Sequence, residues 1–188
     1  MELGVKSTTQ VLEVADSRIT EYFQRSEGQW HSERRYYTLP EGNTQEIVSH
    51  LTIKFLDLGS PELTELAKLH KLHNPETAMI CGSLVSWLSQ DSVSGKKQSE
   101  GSTIFGVQGL MLYRDRGFAT SNPIVAGYHL SDPNTLCLRT EYNGSVFEEE
   151  IKQIGHKYRT RQTIISRAGE QKMIGQYLEK RILNNQKK

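Results

Sequence analysis

Apolar positions along the chain follow two rhythms. Between about Thr8 and Arg25, Val11, Leu12, Ala15, Ile19, Tyr22 and Phe23 recur at the spacing of one helical face, and Gly28 follows as a terminating glycine, which predicts an N-terminal helix over 8–25. The stretch SPELTELAKLHKLH begins with Ser60 at a capping position and Pro61 at the first helical position. It continues with Leu63, Leu66, Leu69 and Leu72, which predicts a second, inserted helix. Nearly everything else alternates or is β-branched and aromatic, in runs parted by turn clusters such as PEGN, SDPN and YNGS. Strands are expected at 30–39, 45–56, 79–88, 103–113, 118–119, 124–130, 136–142, 146–154, 157–167 and 173–182. About ten strands in sequence order with short connections favour an antiparallel up-and-down sheet closed into a barrel, of a size that can hold one small ligand. The barrel is expected over 28–183, with a tail at 184–188 and a polar, mobile loop at Ser92–Gly101.

Two stretches break the alternation. In EGQWHSERRYYTL, Trp30, Ser32, Arg34 and Tyr36 share one strand face, where a plain core would carry aliphatic residues. Either Trp30 is core beside a surface Arg34, or the face borders a polar pocket in which an arginine stacks on the indole. In KYRTRQTIISR, Arg159 and Arg161 lie two apart, roughly 6.5 to 7 Å from each other on one face, a spacing that suits one carboxylate per guanidinium. A two-residue turn at Gly155 and His156 would set Glu150 opposite Arg161 and Lys152 opposite Arg159. The apolar face with Phe147 and Ile151 would then point inward and the arginines would form a solvated charge ladder. Trp87, in CGSLVSW, reads as core or as a wall for a ligand ring. Arg114, Asp115 and Arg116 read as a self-paired turn cluster or a pocket rim.

Composition narrows the classes. At 188 residues, 36% hydrophobic and 24% charged, the chain fits a single globular domain over 1–188, and its apolar runs fall short of the roughly 20 residues of a membrane span. The first residues, MELGVKSTTQ, lack the pattern of a secretory signal, so a cytoplasmic location is expected. A net charge of +1 offers no global field for nucleic acid. Cys81 and Cys137 have no CxxC spacing and read as small core residues in a reducing compartment. His70 and His73, three apart on the second helix, lack a third ligand at a recognised spacing, so no metal is expected. No nucleophile elbow, phosphate loop or GxGxxG occurs.

With these residues in hand, the chain from about Phe23 to Ile182 resembles the S/U-type phycobiliprotein lyases, the CpcS/CpeS family. SEGQWHSER, CGSLVSW, NPIVAGY, TLCLRTEYN and KYRTRQT carry the likeness. The Gly28-x-Trp30 spacing is also similar to the lipocalin fingerprint. The resemblance implies a lipocalin-like (calycin) barrel that binds an extended linear tetrapyrrole, phycocyanobilin or phycoerythrobilin. It implies transfer of that bilin to a cysteine of an apo-phycobiliprotein α or β subunit, as a thioether at the A-ring side chain. By position, Trp30, Arg34, Trp87, Arg159, Arg161 and Thr163 are then bilin-binding, with Arg159 and Arg161 on the two propionates. That implication reverses the solvated reading of the pair.

Thiol addition to a conjugated tetrapyrrole is faster when the pyrrole nitrogens are protonated, a task for a nearby carboxylate. Glu141 and Asp91 are the candidates. The chain departs from the family where several members carry histidine, since Tyr37 stands there. It also lacks a second tryptophan after the third strand, with Val93 near its place. Some members act only with a related chain, so a homodimer or a lyase partner subunit is a further expectation, as is a non-catalytic bilin carrier. The setting implied is the cyanobacterial cytosol, or the plastid stroma in an alga.

Overall fold

The computed structural model describes residues 8–118 and 120–183. The expected tail at 184–188 and Ala119, half of the expected strand 118–119, lie outside the described residues. The chain runs α1 (Thr8–Ser26), β1 (Gly28–Thr38), β2 (Asn43–Asp57), α2 (Pro61–Leu69), β3 (Cys81–Asp91), β4 (Lys97–Gln108), β5 (Met111–Arg114), β6 (Ile124–Asp132), β7 (Thr135–Tyr142), β8 (Ser145–Ile154), β9 (Tyr158–Arg167) and β10 (Glu170–Arg181). All neighbours pair antiparallel, and β1 closes on β10, so the sheet is a ten-stranded barrel without a long free edge pair to manage.

The strand count agrees with the sequence pattern, but two elements differ. The run expected as one strand over 103–113 is a hairpin, because Gly109 takes a left-handed φ of 57° and turns β4 into β5. Phe118 sits in a bend rather than a strand. The polar stretch expected as a loop at Ser92–Gly101 is a turn in its first half and strand in its second, since β3 ends at Asp91 and β4 starts at Lys97.

Helix α1 plugs one end of the barrel. Ile19, Tyr22 and Phe23 pack on Cys81, Val107, Leu112, Leu136 and Leu138, the apolar inward residues of the strands beneath. Three further ties hold it: Tyr22 donates to the Ile151 carbonyl at 3.0 Å, Gln153 donates to Ser26 Oγ at 2.8 Å, and Trp30 Nε1 donates to the Ser26 carbonyl at 3.0 Å. The Arg181 guanidinium closes the helix C-terminus by donating to the carbonyls of Arg25 and Glu27.

Helix α2 lies on the outside, over β3 and β4, where Leu63, Leu66 and Ala67 meet Leu84 and Ile104. Gly82 and Gly106 make this approach possible. A Cβ on Gly106 would stand 2.2 Å from Met79 Sδ, and one on Gly82 would stand 2.7 Å from Leu63 Cδ2. The helix ends at Leu69, short of the predicted stretch, so His70 and His73 do not share a helical face. His70 caps it and hydrogen-bonds the Arg114 carbonyl through Nε2 at 2.9 Å.

Candidate functional site

The hairpin of β8 and β9 decides which way the arginines face. Ile154 pairs with Tyr158 around a three-residue loop, Gly155 to Lys157, with Gly155 at a left-handed φ of 58°. The two-residue turn expected from the sequence is therefore wrong by one residue. Ile151, not Glu150, stands opposite Arg161, and Gln153, not Lys152, stands opposite Arg159. A slip of one residue exchanges the faces of a strand, so Arg159, Arg161 and Thr163 join Phe147, Glu149 and Ile151 on the inner face. The solvated charge ladder does not exist.

Inside the barrel, below α1, lies a cavity of about 530 Å³, within the range of small-molecule sites. Its walls are apolar at the α1 end, with Tyr22, Phe23, Leu51, Ile53, Leu112 and Leu136, and strongly basic along β1, β5 and β9, with Arg34, Arg114, Arg159 and Arg161, and with Arg116 just past β5, 3.6 Å from Asp115. Trp87 forms part of the opposite wall, its ring lying across Gly101 of the neighbouring strand, where a Cβ would come within 2.9 Å of it.

Four guanidiniums in a poorly solvated space need partners, and two buried glutamates, Glu149 and Glu179, supply part of the need. Glu179, fully buried on β10, binds Arg159 through Oε2 and accepts from Ser32 Oγ at 3.2 Å through Oε1. Ser32 Oγ in turn accepts from Arg34 Nε at 3.2 Å. Glu149 binds Arg161 through Oε2, and its Oε1 stands 3.9 Å from Arg114 Nη1. Between the two groups stands Tyr177, its ring centre 5.3 Å from the guanidinium carbons of both Arg34 and Arg161. Burial alone would push the Glu179 carboxyl up, but Arg159, with Arg161 and Arg34, holds it below its ordinary value. Burial would likewise lower Arg161, and Glu149 with Tyr177 and Glu179 carries it well above its ordinary value instead. Arg114 has less support: desolvation lowers it, Glu149 only partly offsets that, and its Nε is buried with no partner among the described residues.

The structure brings together Arg34, Trp87, Arg159 and Arg161 at the cavity. Trp30 sits one layer behind, buried between Arg159 and Arg181, whose guanidinium carbons lie 4.9 and 4.3 Å from its ring centre. The arginines on the indole are thus from β9 and β10, and Arg34 rests on Tyr177 instead. Thr163 faces inward but is fully buried, its Oγ1 without a partner among the described residues.

Neither candidate acid reaches the cavity. Asp91 closes the β3–β4 turn by accepting from Ser94 N and Oγ at 2.7 and 2.9 Å, and Glu141 points outward to pair with Arg139 on the solvent face of β7. The acids that do border the arginines, Glu149 and Glu179, were missed together with Tyr177, whereas both readings of the Arg114–Arg116 cluster hold in part, since Arg116 pairs with Asp115 and both arginines line the cavity. Glu149 alternates with Phe147 and Ile151, so its own strand puts it on the inner face whatever the length of the hairpin loop.

A closed antiparallel barrel, plugged by a helix and holding a buried basic cavity, is a lipocalin-like architecture. The sequence profile of the CpeS-like protein family matches residues 18–182, and the chain belongs to that family. It is 59% identical over 180 residues, covering 95% of this chain and 99% of the relative, to a putative phycocyanobilin lyase CpcS 2 of Nostoc sp.. It is 47% identical to a putative chromophore lyase CpcV of Picosynechococcus sp., over 94% of this chain and 87% of that one. Among solved structures, the S-type phycobiliprotein lyase CpeS of Guillardia theta superposes with a TM-score of 0.71 over 95% of this chain and 99% of that chain. At 21% identity this last likeness shows the fold, which is the lipocalin-like barrel expected from the sequence.

Proposed function

We propose that this chain is a phycobilin lyase: it holds a linear tetrapyrrole in the barrel and presents the A-ring side chain to a cysteine thiol of an apo-phycobiliprotein subunit. The observation that carries the reading is the charge of the cavity. Of the five arginines on its wall, Arg116 is paired with Asp115, and Arg34, Arg114, Arg159 and Arg161 face Glu149 and Glu179, which leaves an excess of two positive charges, the complement of two propionates. Arg159 and Arg161 keep unused N–H donors after binding their glutamates, because a guanidinium has five. They receive the carboxylates, with Arg34 beside them, while Trp87 stacks on a ring and the aliphatic wall accepts the apolar edge.

In the transfer step the acceptor sulfur bonds to a carbon of the A-ring side chain, a carbon–carbon π bond is lost, and the thiol proton ends on the tetrapyrrole. Protonated pyrrole nitrogens make that carbon more electrophilic, and a carboxylate alongside stabilises the cation. No carboxylate is among the described residues that line the cavity: Glu149 and Glu179 lie behind Arg161 and Arg159, where they hold these arginines in place for the propionates. The nucleophile comes from the acceptor, since Cys81 is buried under α1.

The ligand is phycocyanobilin or phycoerythrobilin, the partner is an α or β subunit of a phycobiliprotein, and the setting is the cytosol of a cyanobacterium or a plastid stroma. No helix of the described residues is long and apolar enough to cross a membrane. A relative at 29% identity is named a lyase subunit, so activity is to be assayed with and without a related chain.

The test is to mix the purified chain with phycocyanobilin and then phycoerythrobilin and record the visible spectrum. A red-shifted band of the extended chromophore is expected with one of them, and no change with either sinks the reading. Coexpression with a bilin and single apo-subunits, followed by zinc fluorescence on a denaturing gel, is expected to show covalent attachment. Bound bilin without attachment, even with a related chain present, would make the protein a carrier.

A further inference from the structure

Apart from Arg116, which pairs with Asp115, the four cavity arginines are not equivalent, and their grouping divides the cavity in two. On one side Glu179 sits between Arg159, which it binds directly, and Arg34, which it reaches through Ser32. On the other, Glu149 sits between Arg161, which it binds directly, and Arg114 at 3.9 Å. Each group is a triad of two guanidiniums and one carboxylate, and each leaves one positive charge uncompensated. We infer that the two triads are separate carboxylate half-sites and that Arg114 is the second ligand-binding guanidinium of the Arg161 half-site.

Arg114 has the marks of a group waiting for an anion. Its side chain is nine-tenths out of water and lines the cavity. Its Nε has no partner among the described residues, and its guanidinium carbon rests 4.6 Å from the centre of the Phe105 ring, which fixes its plane. The 3.9 Å to Glu149 is too long for a hydrogen bond, so that carboxylate cannot satisfy both of its arginines.

The backbone that carries Arg114 is clamped on both sides. His70 hydrogen-bonds its carbonyl, and Asp115 accepts from Thr103 Oγ1 at 2.6 Å and from the Ile104 amide at 3.0 Å. A residue held so firmly, yet left with a buried unmet donor, costs the empty protein stability. The return for that cost comes when a carboxylate enters between Arg114 and Arg161. Without Arg114 the cavity would balance one propionate and not two.

This inference rests on the bilin reading, and its test separates the two. Biliverdin, a linear tetrapyrrole with two propionates, and its dimethyl ester are titrated by visible absorbance into the wild-type chain and into R114M, R114K and R34M. For R114M the diacid is expected to bind about ten- to hundredfold more weakly, the loss of one charge-assisted contact. Affinity for the ester should not change, and R114K should recover part of the loss. The two monomethyl esters should segregate the effects, one insensitive to R114M and the other to R34M.

Thermal midpoints complete the test. R114M without ligand should melt no lower than wild type, because it removes a desolvated cation rather than a structural partner. A lower midpoint, unchanged diacid affinity, or equal losses for diacid and diester would overturn the inference while leaving the lyase reading in place. A wild-type chain that binds no diacid at all would overturn both.

Discussion

Arg159 and Glu179 pair across adjacent strands with both side chains almost wholly out of water, 8% and 1% exposed, and Trp30 covers the guanidinium from behind. A buried pair of this kind is costly to break from one side, because the remaining charge stays desolvated.

Replacing Glu179 with Gln should therefore destabilise the chain by about 3 to 5 kcal/mol in urea titrations, and Glu179→Gln combined with Arg159→Met should recover much of the loss. The pH dependence follows from the same pair. The folded carboxyl lies below its ordinary value of 4.5, so its stabilising contribution is complete above that value and is lost as pH falls through the lower, folded value. Wild type should lose stability steeply below about pH 4.5, and the Gln variant should show a flatter acid limb. Parallel acid limbs would exclude the assignment.

Arg159→Ala and Arg161→Ala should each weaken bilin binding about ten- to hundredfold by spectral titration, since each removes a charge-assisted contact to a propionate. Arg167→Ala, on the same strand but exposed beyond the cavity, serves as the control and should bind normally. Equal behaviour of all three variants would place the ligand elsewhere.

How far this site was legible in the chain depends on register more than composition. The alternation of β8 and β9 separately was plain, and it put Arg159 and Arg161 on one face. Which face of β8 joined them turned on whether the loop took two residues or three, and Gly155 permits either. The resemblance pointed the arginines inward, and the register shows why they lie there. Glu179 could not have been read from its own strand, because a glutamate between Leu178 and Lys180 looks solvated until Arg159 is known to be its cross-strand neighbour. Asp91 and Glu141 drew notice for their neighbours in sequence, and both neighbours turned out to be local: a turn in one case, a surface arginine in the other.

Trp87 lies across Gly101 as a flat wall of the cavity. Trp87→Phe should keep the fold and shift the absorption maximum of the bound bilin with a modest loss of affinity, about 1 kcal/mol of ring contact. A bound spectrum identical to wild type would mean that the indole does not touch the chromophore. Gly101→Ala should have a related effect by tilting the indole off its seat, and the two changes together should not add.

The outer helix offers a change that separates stability from binding. Gly106→Ala would place a methyl group 2.2 Å from Met79 Sδ and 3.0 Å from Leu66 Cδ2, under α2 and on the face of β4 away from the cavity. Overpacking of this kind costs about 1 to 3 kcal/mol, read as a lower thermal midpoint. Met79 is flexible, so Met79→Ala in the same chain should relieve part of the strain. Bilin affinity of the folded fraction should stay close to wild type, because Phe105 and Val107, which point inward on either side of Gly106, keep their places.

The two cysteines give a chemical check on where the nucleophile comes from. Cys81 is fully buried beneath α1, and burial pushes its thiol up to about 11, so at neutral pH it is neither ionised nor reachable. Cys137 points outward on β7 and is half-buried. A thiol reagent at pH 7.5 should modify Cys137 first and reach Cys81 only on unfolding, giving one fast equivalent and a second that appears with urea. Cys137→Ser should then leave no fast equivalent and full bilin binding, and lyase activity towards an apo-subunit should persist because the thioether is made by the acceptor sulfur. Loss of transfer in Cys137→Ser with binding intact would instead make Cys137 a carrier of the bilin on its way to the acceptor.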